Sequence, residues 1–156
     1  MSEQAGNGSI DPDNPIVKLC VEGMRAEGEN RMDDARRLFN QAWETHTDDF
    51  EACIAAHYLA RHQDDPAETL RWNQEALARA EATGDERVSG FYPSLYLNLG
   101  HSYEVLGNPD EAARFYALAA GGMDKLPDGR YSGIVRGAVE AGLKRIRTNS
   151  NPESAQ

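Results

Sequence analysis

The chain has 156 residues, 40% of them hydrophobic, and a formal net charge of −10. That length suits one domain, and that charge repels the phosphate backbone of nucleic acid unless a basic patch is segregated. The acidity is uneven: residues 1–123 carry −12 and residues 124–156 carry +2, a tail too mildly basic to make nucleic acid the expected partner.

Alanine is abundant, Val and Ile are sparse, and no alternating run of β-formers is bounded by turns. The expected class is therefore all-α. Met1 to Pro15 has neither a basic nor an apolar segment of the kind that directs secretion, and no apolar run approaches the ~18 residues of a membrane span. Cys20 and Cys53 sit in apolar helical settings and form no CxxC or ligand cluster. They read as buried small residues of a protein kept in a reducing, cytoplasmic compartment.

In chain order, residues 1–13 read as a disordered lead. The first helix spans about 14–28, opened by Asn14-Pro15 and stopped at Gly28, and a second covers about 31–46. A third follows the Asp48-Asp49 cap to about 62, and a fourth runs from Pro66, behind Asp65, to Gly84. For the fifth, Pro93 either opens the helix or kinks a longer one that starts near Asp85, and the longer, kinked helix is the expectation. It ends at 106, before Gly107. The sixth starts at Pro109 behind Asn108 and stops at Gly121-Gly122. The seventh spans about 130–147, and residues 149–156 read as a disordered tail. Asp/Asn-Pro starts and Gly stops follow the usual asymmetry of helix ends.

Tyr96-Leu97-Asn98-Leu99-Gly100-His101-Ser102-Tyr103 and Asn108-Pro109-Asp110-Glu111-Ala112-Ala113-Arg114-Phe115-Tyr116-Ala117-Leu118-Ala119 place bulky and small residues at offsets that let two antiparallel helices nest. This pattern resembles a tetratricopeptide repeat. The resemblance covers residues 16–126, with repeats at about 16–49, 50–92 and 93–126. The family's packing positions fall on Tyr96, Leu99, Gly100, Tyr103, Ala112, Tyr116 and Ala119 in repeat 3, a full match. In repeat 1 they fall on Leu19, Glu22, Gly23, Ala26, Ala35, Phe39 and Ala42, where Glu22 departs. Repeat 2 matches poorly and is carried by Asp65-Pro66, Trp72, Leu77 and its 34-residue spacing. The implied fold is a right-handed α-solenoid of three helix pairs over residues 14–148. The last helix, with Ile134, Val135, Ala138, Val139, Gly142, Leu143 and Ile146 on one stripe, would cap the open end.

The resemblance also implies a function: a scaffold or adaptor binding a peptide or protein along the groove of the first helices of each pair. Transferred position by position, the groove residues include Met24, Ile54, Tyr58, Arg61, His62, Leu97, His101 and Glu104, with Cys20, Glu27, Ala55, Asn98 and Val105 beside them. Arg61 is the expected partner for an anion. The family's clamp for chaperone-tail carboxylates needs Lys, Asn and Arg where this chain has Cys20, Met24, Ala55, Ser94 and Asn98, so that ligand is not expected. Alternatives are self-association, which leaves monomer and homodimer open, and an accessory role in an enzyme or RNA-modifying system. His62, His101 and Glu104 would hold zinc only if they converged, and no HExxH occurs, so no metal or cofactor is expected. Acid pairs such as Asp33-Asp34 and Asp110-Glu111 recur at helix starts, where the helix dipole accounts for them without catalysis.

Overall fold

The computed structural model describes residues 10–150, and those residues form helices and turns with no β-strand. No helix among them is long and apolar enough to cross a membrane. The expected disordered lead and tail lie largely outside the described residues. Where they overlap, Asp11 and Asn14 close a turn and residues 149–150 continue the last helix. The chain divides into two compact units, Met1–Ser89 and Gly90–Gln156.

Unit 1 holds α1 (Pro15–Gly28), α2 (Met32–Thr45), α3 (Asp49–Leu59), α4 (Pro66–Thr83) and the single turn α5 (Glu86–Ser89). Three of its helix starts are written in the sequence as side-chain caps. Asn14 accepts from the amides of Ile16 and Val17, Asp48 from Glu51, and Asp65 from Ala67. Each satisfies an amide that the first helical turn leaves without a backbone acceptor. α3 is buried on every side through Phe50, Ala52, Cys53, Ile54, Ala55, Ala56 and Leu59. Its three alanines, Ala52, Ala55 and Ala56, let α1, α2 and α4 pack around it at close range. Trp43 of α2 meets Trp72 of α4 edge-on, with ring centroids 4.9 Å apart. Both cysteines are buried and free, and burial pushes each thiol up to about 12.

Unit 2 holds α6 (Tyr92–Val105), α7 (Pro109–Gly121), a short 3-10 turn at Met123–Lys125, and α8 (Arg130–Ser150). Asn108 caps α7 by accepting from Glu111. Tyr116, Ala112 and Ala119 of α7 pack with Val135, Val139 and Ile146 of α8 in one core. α8 thus covers α6 and α7, as the amphipathic stripe predicts. Ile134 is the exception: it was placed on the stripe but is 61% exposed, because its angular position lies beyond the buried face centred on Val135 and Val139.

Two helix pairs in different units share the same local design. A Cβ on Gly23 would lie 2.3 Å from the Phe39 ring, and one on Gly100 would lie 2.7 Å from the Tyr116 ring. In each pair the glycine precedes its aromatic by sixteen positions, so a bare backbone on one helix seats a ring from the next. The helix ends match too. Asn30 (φ 60) and Gly107 (φ 79) are left-handed, and Arg31 donates to Ala26 O as Asn108 donates to Tyr103 O. The α3–α4 pair inverts the sizes: His57 stands where the glycines stand, and the buried Asn73 stands where the rings stand.

The first helix ends at Gly28, as the sequence expects, and the chain turns left-handed two residues later at Asn30. Two other boundaries differ from the sequence expectation. α3 ends in a 3-10 turn at Ala60–His62. The long kinked helix from Asp85 is two pieces, α5 and α6, with Pro93 in the first turn of α6 where its missing N–H costs no helical bond.

Candidate functional site

Apart from Met24, the candidate residues of unit 1 are engaged within it. Tyr58 stacks on Phe39 with ring centroids 5.0 Å apart, and the Arg61 guanidinium lies 4.8 Å from the Tyr58 centroid. Arg61 also donates to Glu27 Oε1, and His62 Nε2 donates to Glu27 Oε2 at 2.7 Å. Glu27 thus bridges the end of α1 to the end of α3. Arg61, expected to meet an anion from a partner, meets one from its own chain. His62 has only 7% of its side chain exposed, and Ile54, Cys20 and Ala55 are core residues of α3 and α1. Ile54 and Ala55 pack on an α3 that is buried on every side, Cys20 lies on the buried face of α1, and His62 follows α3 in its closing 3-10 turn. Met24, on the outer side of α1, is exposed.

His57 is half-buried, and burial, with the Arg61 charge adding to it, lowers its pKa to about 4. Its ring is therefore neutral near pH 7 and serves packing. Glu51, which sequence reasoning did not single out, ties two helix starts together. It accepts from the Thr47 amide at 2.8 Å and hydroxyl at 3.1 Å, and from Asn14 Nδ2 at 2.9 Å. Burial alone would raise its pKa, but these bonds and the neighbouring His46 hold it below the usual carboxylate range. The D-x-x-E spacing of Asp48 and Glu51 was the available signal.

Unit 1 also has a cavity of about 420 Å³, lined by Pro15, Lys18, Leu19, Glu22, Gln41 and Thr45, none of them a predicted contact residue. In unit 2 a cavity of about 250 Å³ opens between α6 and α8, lined by Leu97, Asn98 and His101 of α6, Tyr116 of α7, and Ala138, Ala141 and Arg145 of α8. Leu97 and His101, both expected on this face, come together here. Glu104 lies beside the cavity and is internally paired. Arg145 donates to Glu104 Oε2 at 2.8 Å and Oε1 at 3.1 Å, and Tyr116 Oη donates to Oε1 at 2.7 Å. The Arg145 and Tyr116 bonds, against the opposing effect of burial, hold Glu104 below its ordinary range, and burial with the Glu104 contact pushes Tyr116 up to about 12. The pair locks α6 to α8 at one end of the cavity, while Ser94 and Tyr131 hydrogen-bond between the same two helices farther along.

Tyr116 fixes the cavity's inner wall. It is seated between two bare backbones, because a Cβ on Gly142 would lie 2.5 Å from its ring on the side of α8, as one on Gly100 would from α6. Sequence reasoning gave Tyr116 and Ala138 packing roles and did not place Arg145 or Ala141 at a site. The signal was the spacing Ile134, Ala138, Ala141, Arg145, a second stripe on α8 beside the buried one. Among the described residues, no three His, Cys, Asp or Glu side chains gather as metal ligands. No protein-family model, no curated protein and no solved structure matches this chain.

Proposed function

We propose that the chain is a protein-interaction module whose helix pairs are tetratricopeptide-like, and that it binds a peptide or protein segment through the α6–α8 cavity. The reading is of a binding protein and not of a catalyst. The observation that carries it is the cavity itself: apolar walls from Leu97, Tyr116, Ala138 and Ala141 with a few polar groups at the rim, the composition of a recognition pocket. The repeat interpretation is supported by the shared glycine–ring seating and left-handed helix ends of the α1–α2 and α6–α7 pairs. Unit 1 then acts as framework, its aromatic and ionic groups spent on holding α1, α2 and α3 together.

Ala141 is exposed at the cavity mouth, so Ala141→Trp fills the space without disturbing the core. Affinity capture from the host with the unmodified chain and with Ala141→Trp tests the reading. Loss of a captured protein in the variant, with an unchanged melting temperature, is the expected result. Identical capture by both proteins would refute the assignment.

A further inference from the structure

We propose that the cavity of unit 2 is filled by Ile134 of a second copy of this chain, in a two-fold dimer that pairs α8 with α8 in antiparallel sense. This rests on the reading that the cavity is a recognition site, and it names an occupant that the chain itself supplies.

The first support is where the exposed apolar groups lie. Ile134, Val105 and Tyr131, at 61%, 55% and 53%, are the most exposed large apolar side chains among the described residues. Scattered singly they would need no explanation, but all three belong to α6 and α8. Ser94 meets Tyr131 and Glu104 meets Arg145, pairs 37 and 41 positions apart, so the two helices run parallel. One wall of the groove between them carries Leu97, His101 and Val105 at four-residue spacing. The other is the α8 stripe of Tyr131, Ile134, Ala138, Ala141 and Arg145, which falls within roughly a quarter of the helix circumference.

The second support is the order of sizes along that stripe. Its N-terminal half is bulky and projecting, with Tyr131 and Ile134. Its C-terminal half is small, with Ala138 and Ala141 lining the hollow of about 250 Å³. That volume lies below the usual ~300–1,000 Å³ of small-molecule sites and suits one aliphatic side chain. An antiparallel pairing centred near Ala138 lays each bulky half on the other copy's hollow: Ile134 comes over Ala141, and Tyr131 over Arg145. The stripe is thus complementary to itself, which is what an isologous interface requires. A parallel pairing would set Ile134 on Ile134 and leave both hollows empty.

Charge and area fit the same contact. Arg145, the only charged member of the stripe, is matched by Glu104 at 2.8 and 3.1 Å. Its half-exposed guanidinium can lie against the Tyr131 ring of the other copy, as Arg61 lies over Tyr58 within one chain. Arg136 and Arg147 stand on the opposite side of α8, so they do not meet their counterparts across the two-fold axis. The stripe is about 21 Å long, and with α6 beside it the contact buries about 1,000 Å² in total, the low end for a specific interface. The dimer is therefore weak, with a micromolar Kd, and a peptide that enters the cavity displaces it.

The test is sedimentation velocity of the full chain across about 1–200 μM, joined to thiol cross-linking. The unmodified chain should pass from monomer to dimer over that range. Ile134→Glu and Ala141→Trp should each weaken association by about tenfold or more, with melting temperature unchanged, since both positions are exposed. Both native thiols are buried, so introduced ones report alone. I134C/A141C should give a disulfide-linked dimer on oxidation with diamide, and I134C or A141C alone should not. Within one helix the two positions are about 10 Å apart, too far to bridge. A monomer throughout, a dimer indifferent to Ile134→Glu, or equal cross-linking of the single variants would overturn this inference. If Ala141→Trp nonetheless abolishes partner capture, the cavity reading stands without it. Self-association and partner capture that both ignore Ala141→Trp would overturn the two together.

Discussion

The two units use the same helix-pair design and spend their polar chemistry in opposite ways. Unit 1 has nine Lys and Arg against nineteen Asp and Glu, and its arginines are largely tied to those acids. Its candidate contact residues, Tyr58, Arg61 and His62, are absorbed by Phe39 and Glu27. Unit 2 has seven of each sign, its cavity is lined by α8 residues including the paired Arg145, and among the described residues Arg130, Arg136, Lys144 and Arg147 form no ion pair. The difference teaches that recognition chemistry has to be looked for where hydrogen bonds and charges are unsatisfied. The most aromatic and polar stretch is not, for that reason alone, the site.

The largest expected effects test the shared part of the design. Gly23→Val in unit 1 and Gly100→Val in unit 2 each drive a side chain into a ring, and each should destabilise by about 3 kcal/mol or more. Gly28→Val, with nothing within 4 Å, should cost less than about 1 kcal/mol in the same denaturant titration. Equal losses at all three positions would break the comparison.

Next comes acid sensitivity, which should be steepest in unit 1. Because His57 titrates near 4 when folded and near its ordinary 6.5 when unfolded, the unfolded chain binds the extra proton between those values. Stability therefore falls as pH drops through that window, by about 2–3 kcal/mol, and no further below it. His57→Asn should flatten the curve of melting temperature against pH from 6.5 to 4. Glu51 and Glu104, both held below the carboxylate range, begin to give up their contribution as pH falls through the ordinary carboxylate value of the unfolded chain, and have lost it once pH passes their lowered folded values.

Smaller effects separate spent from unspent charge. Glu104→Gln weakens the α6–α8 tie and should cost about 1 kcal/mol. Arg136→Gln, which removes no ion pair among the described residues, should leave thermal stability within about 0.5 kcal/mol. Smallest of all, Asn30→Gly at the left-handed end of α1 should add a few tenths of a kcal/mol, while Asn30→Ala should lose about 1 kcal/mol, both read from chemical denaturation.

The helices were legible because their ends are marked. Asn14, Asp48, Asp65 and Asn108 cap where the sequence places them, and Gly84 and Gly107 turn left-handed where it stops a helix. The misplaced start of α6 has a local cause: Pro93 fits a first helical turn without a kink. The site was half legible. Repeat register put Leu97 and His101 on the cavity side, but register knows nothing of Glu27 reaching Arg61 and His62 across thirty-odd positions. It also stops before α8, so Ala138, Ala141 and Arg145 lay beyond its reach.

The placement of Trp43 and Trp72 has a practical consequence. Both indoles and both thiols of the chain belong to unit 1, while unit 2 contains only tyrosine among the strong near-ultraviolet chromophores. Intrinsic indole emission and thiol-trapping kinetics are therefore native reporters of that half alone. A tryptophan introduced at position 141 would give the other half an optical signal of its own, sited at the mouth it is meant to block.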